Sequence, residues 1–151
     1  MAGTLTTAAT VHRDLDFARL LTLVERSVVQ RLGTALKADG ATLEEWRVLS
    51  LLGDGNGHPM TEIAEFALLP PPSLTKVIDR MVSLTLVHRR VDEADRRRVL
   101  VFATDRGRQA LEQWTATVER QYNEIVAATG GEEIALLRAL LARTAGRLGL
   151  P

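Results

Sequence analysis

Residues 61–104 decide the fold of this chain, and they read TEIAEFALLPPPSLTKVIDRMVSLTLVHRRVDEADRRRVLVFAT. Within the segment 73–81 the apolar residues recur at helical spacing, so the sequence predicts a helix with one buried face. The residues of that face are Leu74, Val77, Ile78 and Met81. The opposite face is expected to be solvated, and it carries Pro72, Lys76, Asp79 and Arg80.

Two apolar runs downstream of this helix predict a β-hairpin. Residues 86–91 and 99–102 read as strands, and the DEADRRR segment between them (92–98) is too charged to be buried. Between His88 and Arg108, seven arginines stand against four acidic residues, a net charge of +3 in a chain whose formal net charge is zero. A solvated helix followed by an arginine-rich hairpin suits a reader of double-stranded DNA. The helix can enter the major groove, while the arginines reach phosphates or the minor groove.

The residues before this helix complete a helix-turn-helix pattern. A third helix is predicted to begin at Thr61, and Pro70-Pro71-Pro72 ends it because residues that precede proline are pushed toward extended geometry. One of these prolines suits the first position of the next helix, where its missing N–H costs little. This is the spacing of a DNA-binding helix-turn-helix, although an ordinary helical hairpin fits the segment equally well when it is taken alone.

Capping signals delimit the remaining helices. The first helix is predicted over residues 14–37, and it ends where Gly40 suits a left-handed cap. Thr42 and Glu45 stand three residues apart, as in a capping box that opens a second helix. Thr104 is expected to cap a long fifth helix.

A sixth helix, predicted over residues 132–148, has an unusually wide apolar arc. Together with the first helix and the far half of the fifth, it offers more apolar surface than a small reading domain can cover. A second copy of the chain is the expected cover.

Composition narrows the class of protein. With 151 residues, of which 46% are hydrophobic, the chain is expected to form one domain with its own core. The absence of cysteine excludes disulfides and thiolate metal sites. Residues 1–12 are expected to be a frayed tail rather than a signal peptide, and no apolar run is long enough to span a bilayer. A soluble, cytoplasmic protein is expected.

Two segments resemble the MarR family of bacterial transcriptional regulators. Residues 92–97 (DEADRR) followed by residues 103–107 (ATDRG) are similar to the wing signature of that family, and residues 73–81 (SLTKVIDRM) are similar to its recognition helix. The resemblance implies a mainly α fold with a small β-hairpin wing, in which a winged helix-turn-helix domain is joined to long N- and C-terminal dimerisation helices. In a single domain of residues 1–151, residues 42–103 would bind DNA, and residues 14–38 and 104–149 would form the dimer. Thr85 stands where the family often has glycine, so strain is expected there.

The resemblance also implies a function. The protein would be a homodimer on a pseudo-palindromic operator, commonly a repressor, and a small aromatic or phenolic ligand would release it. The expected contacts to DNA come from the reading helix and the wing, and they are Pro72, Ser73, Thr75, Lys76, Arg80, Asp95, Arg96, Arg97 and Arg98. Among them Arg97 is the central prediction, because the Asp95 carboxylate could hold it and aim it into a narrow minor groove. Asp79 is expected to steer Arg80, to accept from cytosine or to form a plain ion pair on the helix surface, and capping is the alternative role of Ser73.

The resemblance places a ligand between the reading domain and the long helices. The candidate walls and charged partners are His12, Phe17, Arg19, Leu21, Trp46, Arg47 and Trp114, although such apolar residues belong more often to a core than to a pocket. No catalytic constellation, metal-ligand cluster or cofactor motif stands out, so neither an enzyme nor a cofactor is expected. The alternative function is a winged-helix module that binds an acidic protein, or binds DNA without sequence preference.

Overall fold

The computed structural model describes the backbone of residues 5–150 and the side chains of residues 16–150. In chain order, the elements of this part are α1 (Leu5–Ala38), α2 (Leu43–Leu52), β1 (His58–Pro59), α3 (Met60–Ala67), α4 (Pro71–Ser83), β2 (Val87–Val91), β3 (Val99–Ala103), α5 (Asp105–Thr129) and α6 (Gly131–Arg147). The predicted fold class is confirmed: the chain is mainly helical and carries a small antiparallel sheet.

The first helix is longer than the sequence predicts. It begins at Leu5 rather than near residue 14, so the expectation of a frayed tail is wrong from Leu5 onward. The physical reason is that the chain contains no proline or glycine between Leu5 and Gly33, and alanine favours helix strongly. The predicted end is confirmed, since Gly40 has a φ of 75° and Ala41 donates its N–H to the Leu36 carbonyl at 3.0 Å.

The sheet has one strand more than the sequence predicts. Its order is β1-β3-β2, and both pairings are antiparallel. The predicted hairpin is confirmed as β2 and β3, where Arg89 pairs with Val101. The additional strand β1 pairs His58 with Val101 and ties the start of α3 to the wing. A strand of two residues has no alternation that a sequence pattern could reveal.

A single core holds the reading half of the chain together. It is lined by buried aliphatic side chains and by Trp114, which is 5% exposed. The members with no exposed surface are Leu36, Val48, Leu49, Leu52, Ile63, Ala67, Ile78, Met81 and Val101. Helices α2, α3 and α4 each contribute one face to this core, and in α4 it is the face that the sequence predicts.

The first and last helices leave apolar side chains on the surface. In α6, Ile134 is buried among the described residues, whereas the leucines that make up its apolar arc are exposed. The exposed apolar residues of these two helices are Phe17, Leu20, Leu21, Leu23, Val24, Leu136, Leu137, Leu140 and Leu141. None of the described helices combines the length and the apolar character that crossing a membrane requires.

Candidate nucleic-acid interface

Helix α4 presents its polar face to solvent. Pro70 is the N-cap in extended conformation, with a ψ of 147°, and Pro71 is the first helical residue, as predicted. The alternative that Ser73 caps the helix is therefore wrong. Thr75 is exposed and donates its hydroxyl to the Pro71 carbonyl at 3.1 Å. Pro72 and Lys76 are also exposed, so the face opposite the core is free for contact.

Two ion pairs connect α4 to its neighbours. Asp79 does not steer Arg80, which was one of its three predicted roles, because its carboxylate accepts from Arg89 of β2 at 2.6 Å. Arg80 instead donates its Nε to Oε1 of Glu45 in α2 at 2.7 Å. The first pair joins the reading helix to the wing, and the second joins it to the helix that packs behind it.

The tip of the wing is built by its own acidic residues. Oδ1 of Asp92 accepts from the backbone N–H of Ala94 at 3.0 Å, and Oδ1 of Asp95 accepts from that of Arg97 at 3.1 Å. These are Asx turns, in which a side-chain carboxylate replaces a backbone carbonyl and tightens the loop. The backbone of Arg98 closes the tip, since its N–H donates to the Asp95 carbonyl and its carbonyl accepts from Asp92.

The predicted contact between Asp95 and Arg97 exists in a different form. The carboxylate of Asp95 holds the backbone of Arg97, and the ion pairs among the described side chains do not include the guanidinium of Arg97. Arg96 and Arg97 are both exposed. Arg98 is exposed as well and lies 3.9 Å from the Asp92 carboxylate. The acids therefore shape the turn, while Arg96 and Arg97 form no ion pair among the described residues.

Aromatic packing supports the base of the wing. His88 stacks on Phe102 with ring centroids 5.5 Å apart, and the guanidinium of Arg90 lies 5.4 Å from the same ring. The ring fills the space beside Gly57, where a Cβ would collide with the Phe102 ring. The base of the hairpin is therefore packed against the loop before β1.

The turn that joins α4 to β2 is strained, as expected from its threonine. Thr85 has a φ of 59°, a left-handed conformation that non-glycine residues rarely adopt. Thr104 stabilises the turn by donating its hydroxyl to the Thr85 carbonyl at 2.6 Å. The same hydroxyl accepts from Gly107 N–H at 2.9 Å and so caps α5, as predicted. One side chain therefore couples the reading helix to the long helix α5.

His58 links the loop after α2 to the start of α3. Its Nε2 lies 2.9 Å from Oδ2 of Asp54, and its Nδ1 lies 3.1 Å from Oε2 of Glu62. Carboxylates only accept, so both contacts are satisfied when the imidazole is charged. Burial lowers the pKa of His58, but the hydrogen bonds to the two carboxylates outweigh it, and the net pKa is raised. The two partners lie four residues before and four residues after His58 in the sequence.

The residues predicted to hold a ligand do not form one closed pocket within a single chain. Phe17 is 62% exposed and Leu21 is 39% exposed, whereas Trp114 belongs to the core. Trp46 is half-buried and donates its Nε1 to Thr115 at 3.2 Å. Arg47 donates to the Ala67 carbonyl at 3.5 Å, so it is directed at α3.

The two remaining ligand candidates, Arg19 and His12, belong to α1. Arg19 is exposed on α1, and the side chain of His12 lies outside the described residues. Across residues 16–150, no cluster of three or more potential metal ligands occurs.

Two open cavities adjoin the interface. One, of about 350 Å³, lies between the end of α1, the turn after α4 and the start of α5, and it is lined in part by Leu86, Arg106 and Trp114. The other, of about 490 Å³, lies between α1 and the start of α2, where Lys37 and Arg80 flank the apolar side chains of Val29 and Leu43.

Comparisons with known proteins agree with this geometry. Residues 39–98 match the family model described as MarR family. The chain is 32% identical to the HTH-type transcriptional regulator FarR of Neisseria gonorrhoeae over 104 residues, which is 69% of this chain and 71% of that protein. Among solved structures, NadR in complex with 4-hydroxyphenylacetate is 28% identical with a TM-score of 0.69 and covers 83% of this chain and 89% of its own. Wild-type MarR from E. coli is 25% identical with a TM-score of 0.74 and covers 84% of this chain and 95% of its own.

Proposed function

We propose a function on the premise that the chain belongs to the MarR family of DNA-binding transcriptional regulators, which are not enzymes. On that premise, the chain acts as a homodimeric repressor of a pseudo-palindromic operator and is released from it by a small organic ligand. The observation that carries the DNA-binding part is that the acidic and the basic residues of the wing have different roles. Its aspartates fold the turn, and its exposed arginines are left to meet phosphates or a minor groove.

The reading unit is assigned to residues 42–103. In it, α4 enters the major groove with Pro72, Ser73, Thr75, Lys76 and Arg80, and the wing contributes Asp95, Arg96, Arg97 and Arg98. Asp95 acts indirectly through the backbone of Arg97. The ion pair between Asp79 and Arg89 supports this assignment because it connects the helix to the wing directly.

The dimer is assigned to α1, α5 and α6. The support is the exposed apolar arc of α6 and the exposed apolar residues of α1, which exceed the scattered apolar residues of an ordinary surface. A dimer would place two reading helices about 34 Å apart, the length of one turn of the duplex, so both enter the major groove on one face.

Selection from random duplexes tests the DNA-binding part directly. The full chain should enrich a dyad-symmetric motif, and its affinity for that motif should fall steeply with salt. Lys76→Ala should weaken binding to all duplexes and reduce the salt slope by about 1 if Lys76 contacts a phosphate. Salt-sensitive binding without any enriched motif would contradict the proposal and favour an architectural DNA-binding module.

The repressor role is tested separately in cells. A reporter placed behind the selected motif should be silenced by the wild-type chain and restored by a variant that no longer binds the motif. Activation of the reporter by the wild-type chain would contradict repression while leaving the DNA-binding assignment intact.

The ligand is proposed to be a small organic anion with an aromatic body. NadR was solved with 4-hydroxyphenylacetate, and in this chain Lys37 and Arg80 flank a cavity with apolar walls. Trp114 lines the other cavity and Trp46 is half-buried beside Thr115, whereas Phe17 and Leu21 would contribute from the dimer face. The ligand must bind the DNA-incompetent state more tightly than the DNA-binding state in order to act. Titration with 4-hydroxyphenylacetate should quench tryptophan fluorescence and release the operator, and quenching without release would contradict the regulatory role of this compound.

A further inference from the structure

We propose that Glu45 is a positioning residue for DNA recognition, because it holds Arg80 of the reading helix in one orientation. The proposal rests on the proposed function, in which Arg80 faces the duplex. It adds a residue that sequence patterns assign only to helix capping, and it gives that residue an effect on which base pairs the protein prefers.

The carboxylate of Glu45 serves two partners at once. Its Oε2 accepts from the Thr42 backbone N–H at 2.9 Å, which completes the capping box of α2. Its Oε1 accepts from Arg80 Nε at 2.7 Å. Glu45 is only 1% exposed, so the carboxylate is fixed both by the first turn of α2 and by the surrounding core.

Arg80 is held at one edge of its guanidinium and open at the other. Its side chain is 57% exposed, and within residues 16–150 the described hydrogen bonds of the guanidinium use Nε alone. The two terminal nitrogens therefore remain available for a ligand of the protein. A guanidinium with a fixed Nε presents them as a planar fork, which is the geometry that matches the O6 and N7 acceptors of guanine.

The buried charge keeps Arg80 from choosing another partner. If Arg80 turned toward a phosphate, Glu45 would be left as an unpaired carboxylate in a nearly closed site, which is strongly unfavourable. Loss of the carboxylate would let the long arginine side chain bind the nearest phosphate at any sequence. Glu45 should therefore increase discrimination among duplexes without increasing affinity for DNA in general.

Glu45→Gln separates the two tasks of the carboxylate. Glutamine has one acceptor oxygen, so it can serve Thr42 N–H or Arg80 Nε well, but not both through separate oxygens. In selections from random duplexes with the full chain, preference at one base position of each half-site should fall by about 5- to 100-fold relative to wild type. Affinity for unrelated duplexes should stay equal or rise, because a negative charge near the DNA has been removed.

Thr42→Ala is the matched control. It removes the reciprocal capping bond, in which Glu45 N–H donates to Thr42 Oγ1 at 3.2 Å, but it leaves the contact between Glu45 and Arg80. This variant should lose stability and keep the wild-type motif. Arg80→Ala should lose preference at the same base position as Glu45→Gln, and the double variant should lose no more than Arg80→Ala alone.

The outcomes are distinguishable. If the wild-type chain enriches no motif, the proposed function fails. If wild type enriches a motif and both Glu45→Gln and Arg80→Lys enrich the same one with equal discrimination, the positioning role is overturned. It is also overturned if Glu45→Gln weakens binding to all duplexes by the same factor. If Glu45→Gln does not fold, Arg80→Lys decides. Lysine keeps the charge but lacks Nε, so preference should fall while the salt slope is retained, and retained preference would overturn the proposal.

Discussion

Large aliphatic side chains are buried in the winged unit (residues 42–103), but they are exposed on the last helix, α6. Leu49 and Ile78 have no exposed surface, whereas Leu136 and Leu140 of α6 are 61% and 42% exposed. Residue type does not explain the difference, since both regions are rich in leucine. Within residues 16–150, the winged unit buries its apolar face inside one chain, whereas α6 leaves most of its leucines exposed. The contrast teaches that the reading half completes its own core and that the remaining apolar surface is what a dimer would cover.

The largest expected effect comes from placing charged residues on the apolar arc of α6. Leu137→Glu combined with Leu141→Glu places carboxylates where the proposed dimer buries leucine. The protein should become monomeric by light scattering, and its operator affinity should fall by about 100- to 10,000-fold because two linked half-sites become one. Val91→Glu alters an exposed apolar residue of the wing, and it is the control for the light-scattering measurement because it should leave the measured mass unchanged. An unchanged dimer in the double variant would show that α6 is not the interface.

Truncation of a core residue sharpens the contrast from the other side. Ile78→Ala should lower the free energy of unfolding by about 2–5 kcal/mol, since it removes a fully buried side chain and leaves a cavity. Leu136→Ala, introduced into the monomeric background, should change the same quantity by less than about 0.5 kcal/mol. Denaturant titrations measure both. Equal losses would mean that α6 belongs to the same core as α4.

The wing gives a smaller effect that is confined to DNA. Arg97→Ala should weaken operator binding by about 1–3 kcal/mol and leave thermal stability unchanged, because its exposed guanidinium belongs to no ion pair among the described residues. Arg143→Ala, an exposed arginine of α6, is the matched control and should bind as wild type. Fluorescence anisotropy with the selected motif measures both variants. An Arg97 variant with wild-type affinity would refute the wing contact.

The smallest expected effect is a pH dependence that arises in the winged unit. The raised pKa of His58 means that the charged imidazole stabilises the fold below the ordinary histidine pKa of about 6.5, and that this contribution is lost as pH rises through the folded-state value. His58→Gln should therefore reduce the difference in Tm between slightly acidic and slightly basic buffer. Glu62→Gln, which removes one of the two carboxylate partners, should reduce the same difference in part. An identical pH profile in His58→Gln would contradict the assignment.

Sequence patterns predicted the parts of this molecule that depend on neighbours along the chain. The capping box of Thr42 and Glu45, the left-handed Gly40 and the proline at the start of α4 are all confirmed, because each depends on residues within one turn. Side-chain partners across the fold were harder. The partner of Arg80 lies 35 residues away in α2, and no local spacing marks it.

The wing shows a second kind of limit. The spacing between Asp95 and Arg97 predicted a contact, and the contact exists, but the acceptor holds a backbone N–H rather than the guanidinium. An aspartate two residues before an arginine suits both arrangements equally well. The start of α1 was predicted too late in the chain. Alanine and threonine give no apolar stripe that would mark a helix, although nothing between Leu5 and residue 14 opposes one.

The two aspartate-built turns of the wing also bear on how the protein finds its target. A molecule with a formal charge of zero is not drawn toward DNA as a whole, yet residues 88–108 carry a net charge of +3, and Arg96 and Arg97 lie exposed at the tip of the wing. At physiological ionic strength such a field reaches only about 8 Å. We therefore expect weak capture from a distance, and we expect a molecule close to DNA to turn its basic segment toward the duplex before the reading helix reaches a base. On the proposed function, the charge pattern of this chain would contribute orientation rather than long-range attraction.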